Sequence, residues 1–229
     1  MGYRRLRDQL EHDHGIVISD KRMLRICRKQ QMFSTVKYRN HGCTKSAKDP
    51  KYTAENVLNR KFHADVPNEK WLTDVTEFKW YEGIEAHKVY LSAILDLCDR
   101  GIVSYILRDY NDNKLVFDTF DLAVERNPDA KPILARGGAQ YTNNIFHQKL
   151  VDRGMVQSMS RVAQCIDNGP MEGFWGILKR ECYYDKRFTS RETLVQTIES
   201  YIDYYNNQRI QRNLGILTPM ELRAKKLAA

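Results

Sequence analysis

The chain has 229 residues, enough for one medium domain with a small appendage and a real core. It carries 37 Lys+Arg against 29 Asp+Glu, a net charge of +8, and no apolar run near the roughly 18 residues that a spanning helix needs. The opening MGYRRLRDQL lacks the apolar centre of a signal peptide, so we expect a soluble, intracellular protein with no membrane partner.

Five cysteines (Cys27, Cys43, Cys98, Cys165, Cys182) form an odd set with no CxxC pair, which argues against a disulfide framework or a zinc ribbon and for buried or idle thiols. His12, His14 and His41 have no second pair at zinc-finger spacing and read as residues of solvated polar loops. The charge is unevenly placed. Residues 1–62 hold 15 Lys+Arg against 6 Asp+Glu, whereas the other 167 residues are close to neutral. A basic arm on a neutral body points to a polyanion as partner, nucleic acid first, against the plainer reading of a solvated basic tail.

In chain order, YRRLRDQLEH (3–12) and DKRMLRICRKQQ (20–31) predict two short helices. In the second, Ser19 or Asp20 can cap the start, Met23, Ile26 and Cys27 recur at helical spacing, and Arg22, Arg25, Arg28 and Lys29 take the remaining faces. The pair resembles a helix-turn-helix unit with a basic outer face. Residues 34–65 are polar and basic without an apolar period and read as a linker. The body starts near Val66 with KWLTDVTEFKW (70–80), HKVYLSAILDLCD (87–99) and GIVSYILR (101–108), three hairpin-linked strands. Asp112 or Asn113 then opens a helix with Val116, Phe120, Ala123 and Val124 on one face, closed at Asn127-Pro128.

KPIL predicts a fourth strand, TNNIFHQKLVDRG a helix and MVQSMS a fifth strand. RVAQCIDNGPM reads as a mobile loop before a helix in MEGFWGILKREC. In RETLVQTIESYIDYYNNQ the residues Leu194, Ile198, Ile202 and Tyr205 fall at spacings of four, four and three, and Thr218-Pro219-Met220-Glu221 has the form of a capping box that starts a last short helix. The order β-β-β-α-β-α-β-α predicts an α/β fold with a mixed five-stranded sheet and helices on its faces.

Two acids stand out. Asp74 lies inside the first strand, on the face of Leu72, Thr76 and Phe78, where an unpaired charge is costly, so it needs a basic side chain or a metal ion as partner. Glu172 follows DNGP at a helix start, a place an acid also favours for the helix dipole alone. Lys179, seven positions on, shares its face, and Gly176 between them leaves room for something large; carboxylate, glycine and lysine on one stripe suit a metal at one end and a phosphate at the other.

The stretches PNEKWLTDVTEFK, AQYTN, QSMSRVAQCIDNGPMEGFWGILKRE and YYNNQRIQRNLGILTPME occur in this order, and together they resemble the OrfB transposase of the IS-three group of insertion sequences. That group belongs to the retroviral-integrase-like superfamily, with an RNase H-type catalytic core. The resemblance runs from Gly2 to about Arg223, and because GYRRLRDQL resembles the middle of the family protein, we expect a preceding helical segment to be lacking here. It implies a DDE-type transposase: DNA integration by metal-dependent phosphodiester hydrolysis and strand transfer, with two Mg²⁺ (or Mn²⁺) ions held by three acids. Asp74 matches the acid on the first strand and Glu172 the one on the helix after the fifth, so both are the expected catalytic and metal-binding residues. Lys179 matches a helix lysine that contacts DNA near the scissile phosphate, and Arg22, Arg25 and Lys29 lie on the segment that resembles the family's helix-turn-helix for element ends. The implied partners are double-stranded DNA of element ends and target, further copies of the chain on that DNA, and a product of an upstream reading frame; the implied place is the bacterial cytoplasm, at the nucleoid.

The expected units are a helix-turn-helix-like segment at 1–33, a basic linker at 34–65, an RNase H-like integrase catalytic core at 66–208 and a tail with a short helix at 209–229. One element of the pattern is missing. The family's second acid sits in a phrase like HSDxGxQYT at the end of strand four, whereas here GGAQYT follows Ala135-Arg136 and no carboxylate occurs between Asp129 and Asp152. Asp129 lies six residues before Ala135, roughly 20 Å away in an extended chain. Arg136 could instead pair with Asp74 or Glu172. We therefore expect weak or absent two-metal occupancy and impaired strand transfer, with a non-catalytic DNA-binding remnant at element ends as the alternative, and an RNase H-like ribonuclease on hybrids as a third reading that leaves the basic hairpin without a role.

Overall fold

In a computed structural model of the chain, residues 2–34, 36, 58, 59, 61–136, 141, 143–159 and 168–229 are described, Arg136 in its backbone only. Two helices come first, α1 (Tyr3–His14) and α2 (Asp20–Lys29), with Gly15 in the left-handed region (φ 66°) closing the first and the Ser19 hydroxyl accepting from the Arg22 N–H at the head of the second. Met23 and Cys27 are buried; Ile26, expected on the same stripe, is 39% exposed, because α2 has one neighbouring helix and only a narrow face to cover.

Three antiparallel strands follow, β1 (Lys70–Glu82), β2 (Glu85–Asp96) and β3 (Ile102–Arg108). The first turn is a two-residue loop between the paired Glu82 and Glu85, with Gly83 at φ 59°, a conformation open to glycine at little cost. β2 ends at Asp96, three residues before the expected end, because Asp96 and Asp99 turn their carboxylates inward to accept the N–H groups of Asn68, Cys98 and Gly101. After α3 (Asn113–Arg126), capped by Asp112, come β4 (Ile133–Arg136), α4 (Asn144–Asp152), capped by Asn143, and β5 (Val156–Met159). β4 lies two residues beyond the predicted KPIL. It pairs in parallel with β1 (Leu72 to Ala135, Thr73 to Arg136) and with β5, which gives the order β3-β2-β1-β4-β5.

Alternation along β1 builds two cores. Leu72 and Phe78 face α5 (Gly169–Leu178) and α6 (Arg191–Asn207), joining Phe174, Trp175, Leu178, Leu194, Ile198, Ile202 and Tyr205. Trp71 faces α3 and α4, with Val116, Phe120, Ala123, Phe146 and Leu150. The expected helical spacings on α3 and α6 are those observed, and the result is the predicted mixed sheet between helical layers. α5 starts at Gly169, two residues before the predicted helix, and passes at Lys179–Tyr183 into a π-helical turn closed by Tyr184 N–H to the Lys179 carbonyl (2.7 Å). The loop expected at 161–171 lies outside the described residues up to 167.

Residues on both sides of the expected core pack against it. Leu58 and Ala64, read as linker, are buried in the core beneath α5 and α6, and the Leu58 N–H donates to Ser158 Oγ. The tail is part of the body. α7 (Pro219–Leu227) starts with the predicted capping box, and its first turn packs so closely on Gly101 that a Cβ there would lie 2.7 Å from Met220 Cε. Arg223 of α7 pairs with Asp96 and Asp99 (3.5 and 3.0 Å). Residues 35, 37–57 and 60 of the linker lie outside the described residues. Cys27 and Cys182 are buried free thiols and Cys98 a half-buried one, as expected of idle cysteines. No helix among the described residues is long and apolar enough to cross a membrane.

Candidate active site

Asp74 sits in the middle of β1, opposite Ala93 of β2, on the sheet face that α5 covers. The pattern of β1 puts it there: Leu72 and Phe78 hold the face against the helix, and the carboxylate goes with them. The indole Nε1–H of Trp175 donates to Asp74 Oδ2 at 3.0 Å. Burial, with the charge of Glu172 adding to it, raises the Asp74 carboxyl to about 6, while the indole bond, the Val75 N–H and the Lys179 ammonium pull the other way. Glu172 stands in the first turn of α5, an exposed residue whose carboxyl is also raised by partial desolvation.

Lys179 opens the π-helical turn, half-buried, with its ammonium 5.2 Å from the centroid of the Phe78 ring. Burial lowers its pKa, opposed by the charges of Glu77 and Asp74. Asp74 therefore feels the charges of both Glu172 and Lys179, and Trp175, one turn after Glu172, is the residue that ties the strand acid to the helix. Sequence reading passed over Trp175; its signal was its spacing, three after Glu172 and four before Lys179, which places all three near one side of the helix. Over Gly176 lies the flexible end of the Arg180 side chain, with Nη1 2.9 Å from where a Cβ would stand.

At the head of α5, the buried Asn168 Oδ1 has no hydrogen-bond partner among the described residues. Beside β1, Tyr141 is fully buried, its hydroxyl 2.9 Å from Thr73 Oγ1 and its carbonyl accepting from Gln157 Nε2, so Tyr141 is tied to the strand that carries Asp74. β4 is described as far as the Thr73 to Arg136 pair, one residue short of Asp74; the expected pairing of the Arg136 side chain with Asp74 or Glu172 lies outside the described residues. Among the described residues no three His, Cys, Asp or Glu side chains gather closely enough to hold a metal ion.

Arg22, Arg25 and Lys29 are exposed on α2, away from this group, where Arg22 and Arg25 line a shallow basic depression with Ser19, Lys21, Leu24 and Arg28. His12, the last residue of the predicted first helix, lies in α1 and is paired with Asp13 and Glu221 rather than left to solvent.

The description "integrase core domain" matches the chain twice, over residues 64–165 and 172–227. A putative transposase for the insertion sequence element IS150 of Escherichia coli is 37% identical over 97% of this chain and 77% of its own length. An uncharacterized transposase-like protein of Haemophilus influenzae is 40% identical over 77% of this chain and 80% of its own. Among solved structures, the catalytic core domain of HTLV-2 integrase in complex with magnesium superposes with a TM-score of 0.51 at 17% identity, over 69% of this chain and 97% of that one. A simian T-cell lymphotropic virus intasome chain gives 0.60 at 13% identity, over 90% and 67%. Identities this low establish the fold alone.

Proposed function

The chain belongs to the insertion-sequence transposases of the IS-three group, which share the integrase core, and from that premise we propose that Asp74 and Glu172 are its catalytic acids on double-stranded DNA and that Arg136 holds strand transfer far below the rate of a complete triad. The observation that carries this reading is the grouping of Asp74, Glu172 and Lys179 across β1 and α5.

Two carboxylates are hard oxygen donors of the kind Mg²⁺ or Mn²⁺ takes, and the raised Asp74 carboxyl beside the Glu172 charge is the state that a cation relieves. They fit one ion; a second lacks its ligand among the described residues. When bound, a divalent ion at these acids supplies Lewis-acid activation for attack on a phosphodiester. The chain's own residues do the rest. Trp175 orients the Asp74 carboxylate through the indole N–H bond to Oδ2. Lys179, held by Phe78 and drawn by Asp74, presents a partly desolvated cation to a DNA phosphate. Arg22, Arg25 and Lys29 hold the duplex through its backbone and grooves from α2. Arg136 in place of an acid leaves a local charge of −1 from two carboxylates and one guanidinium, against the −3 that three acids set beside two divalent ions. Assembly of several copies on the DNA, a contribution from an upstream reading frame, and work at the nucleoid belong to the same proposal.

The test is joining of duplex carrying the element's own terminal sequences, with Mg²⁺ or Mn²⁺, by the wild type and by Arg136→Asp, the position that the D-x-G spacing before Gly138 assigns to the acid. The wild type should join at background level, and Arg136→Asp should gain about 100-fold or more, of the order that one electrostatic group at a reacting centre supplies. Ordinary metal-dependent joining by the wild type refutes the impairment. Joining that survives Asp74→Asn refutes the assignment of the acids, and duplex binding without joining in either protein marks a DNA-binding remnant.

A further inference from the structure

α1 meets the body of the protein through one polar stripe. Arg5, Asp8 and His12 recur at spacings of three and four, a single helix face. The Arg5 guanidinium is bidentate on Glu181 in the π-helical turn, Arg212 donates to Asp8 from Nε at 2.5 Å and Nη2 at 3.0 Å, and His12 Nε2 lies 3.0 Å from both oxygens of Glu221 in α7. Asp8 is the one residue of α1 that is fully buried. The helices that carry the basic face of α2 are thus held to the body by charges, with little apolar area between them.

The acids and His12 in this contact each also have a partner on their own side. Glu181 keeps Arg209 (2.9 and 3.1 Å) and the Tyr201 hydroxyl (2.9 Å). Asp8 keeps Arg7 (2.7 Å), Glu221 keeps the Thr218 N–H (2.7 Å), and His12 keeps Asp13 (2.7 Å). Breaking a buried ion pair is expensive when it strands a buried charge; here separation leaves each acid a partner and leaves Arg5 and Arg212, whose side chains are 28% and 46% exposed, to solvent or to another anion. Arg5 and Arg212, in turn, offer the same forked donors to a phosphate as to a carboxylate.

We propose that the α1–α2 hairpin is a detachable module, latched to the end of the catalytic helix through Glu181, Arg212 and Glu221, and that DNA backbone phosphates compete with Glu181 and Asp8 for Arg5 and Arg212. The competition rests on the reading that this chain binds duplex DNA; the latch itself does not.

Amide hydrogen exchange of the full chain reads the latch. Raising salt from about 50 to about 500 mM shortens the screening length severalfold and should speed exchange in residues 3–14 by about tenfold or more, with β1 and α6 unchanged. Arg5→Ala or Arg212→Ala should do the same already at low salt. Competition is read from binding of a duplex of arbitrary sequence. Asp8→Asn weakens the hold on Arg212 and should tighten binding roughly threefold beyond Glu125→Gln, which loses the same charge on the exposed face of α3. Exchange in α1 that ignores salt and both arginine substitutions, or that rises only together with the core, overturns the detachable module. Duplex affinity that rises no further in Asp8→Asn than in Glu125→Gln, while α1 does respond to salt, overturns the competition. A wild type that binds no duplex overturns the DNA reading and the competition with it, and the exchange result still decides the latch.

Discussion

Asp74→Asn should make the protein more stable while removing the candidate metal ligand. Asp74 is held near 6 in the fold against an ordinary value of 3.8, so the folded state binds its proton more tightly than the unfolded chain does. Ionisation is then opposed by the fold: stability falls as pH rises from 3.8 through about 6, and the full cost stands above that. A shift of about 2 units corresponds to roughly 3 kcal/mol, and partial solvent access to the carboxylate cuts this to about 1.5 kcal/mol. Asparagine keeps an oxygen for the Trp175 N–H and carries no charge, so it recovers this amount. For a domain of this size that is a rise in Tm of roughly 3 to 6 °C at pH 7.5. The assay is thermal and urea unfolding of both proteins without divalent ions, repeated at falling pH. The gain should shrink below pH 6 and vanish below about pH 4, where the wild-type carboxyl is protonated in both states. Added Mg²⁺ should close the gap from the other side by stabilising the wild type alone. A variant no more stable than the wild type at pH 7.5, or a gain that persists undiminished near pH 3.5, would refute the reasoning.

Glu181 should behave in the opposite sense. Against the burial that would raise it, Arg209 and Arg5 hold its carboxyl at about 2, below the ordinary 4.5, so its contribution is complete above pH 4.5 and is lost as pH falls toward 2. Its side chain is only 16% exposed, and Glu181→Gln should cost about 3 kcal/mol at pH 7 and nearly nothing at pH 2, read by denaturant midpoints across that range. Equal losses at both ends would show that packing, not charge, is at work there. On α2, Arg22→Ala, Arg25→Ala and Lys29→Ala should each flatten the plot of log affinity for duplex against log salt by about 0.9, with little dependence on sequence for any that touch only phosphates. A slope that stays constant in all three removes α2 from the interface.

Where a charge occupied a place that water would not leave it, sequence was a sufficient guide. Asp74 was visible because strand alternation puts a carboxylate beside Leu72 and Phe78, and Glu172 with Lys179 because seven residues make two helical turns. The helices α3, α6 and α7 were legible from apolar spacing and from caps, all local signals. What stayed hidden depends on partners far along the chain. Burial of Leu58 and Ala64 inside a basic stretch follows from tertiary contact alone. The early end of β2 follows from Arg223, more than 120 residues away, drawing in Asp96 and Asp99. Gly176 looked like an opening because a glycine records the absence of its own side chain; it does not record that Arg180 folds across the gap.

The two appendages on the core show the same limit and differ in kind. The C-terminal segment is held by buried Ile210, Leu214 and Pro219 and by an arginine between two fully buried acids, of which Asp99 is pushed up to about 6 by burial and by its neighbour Asp96. Its removal would expose apolar area and leave Asp96 and Asp99 without their cation, so the body cannot release it cheaply. α1 uses Arg5, Asp8 and His12, residues that in a sequence read as an ordinary solvated face, and each acid in the contact, like His12, keeps a second partner within its own segment. A permanent joint and a releasable one therefore differ less in the number of bonds than in what each leaves behind when it opens. In a chain whose substrate is a polyanion, a joint closed by arginines is one that the substrate itself can open.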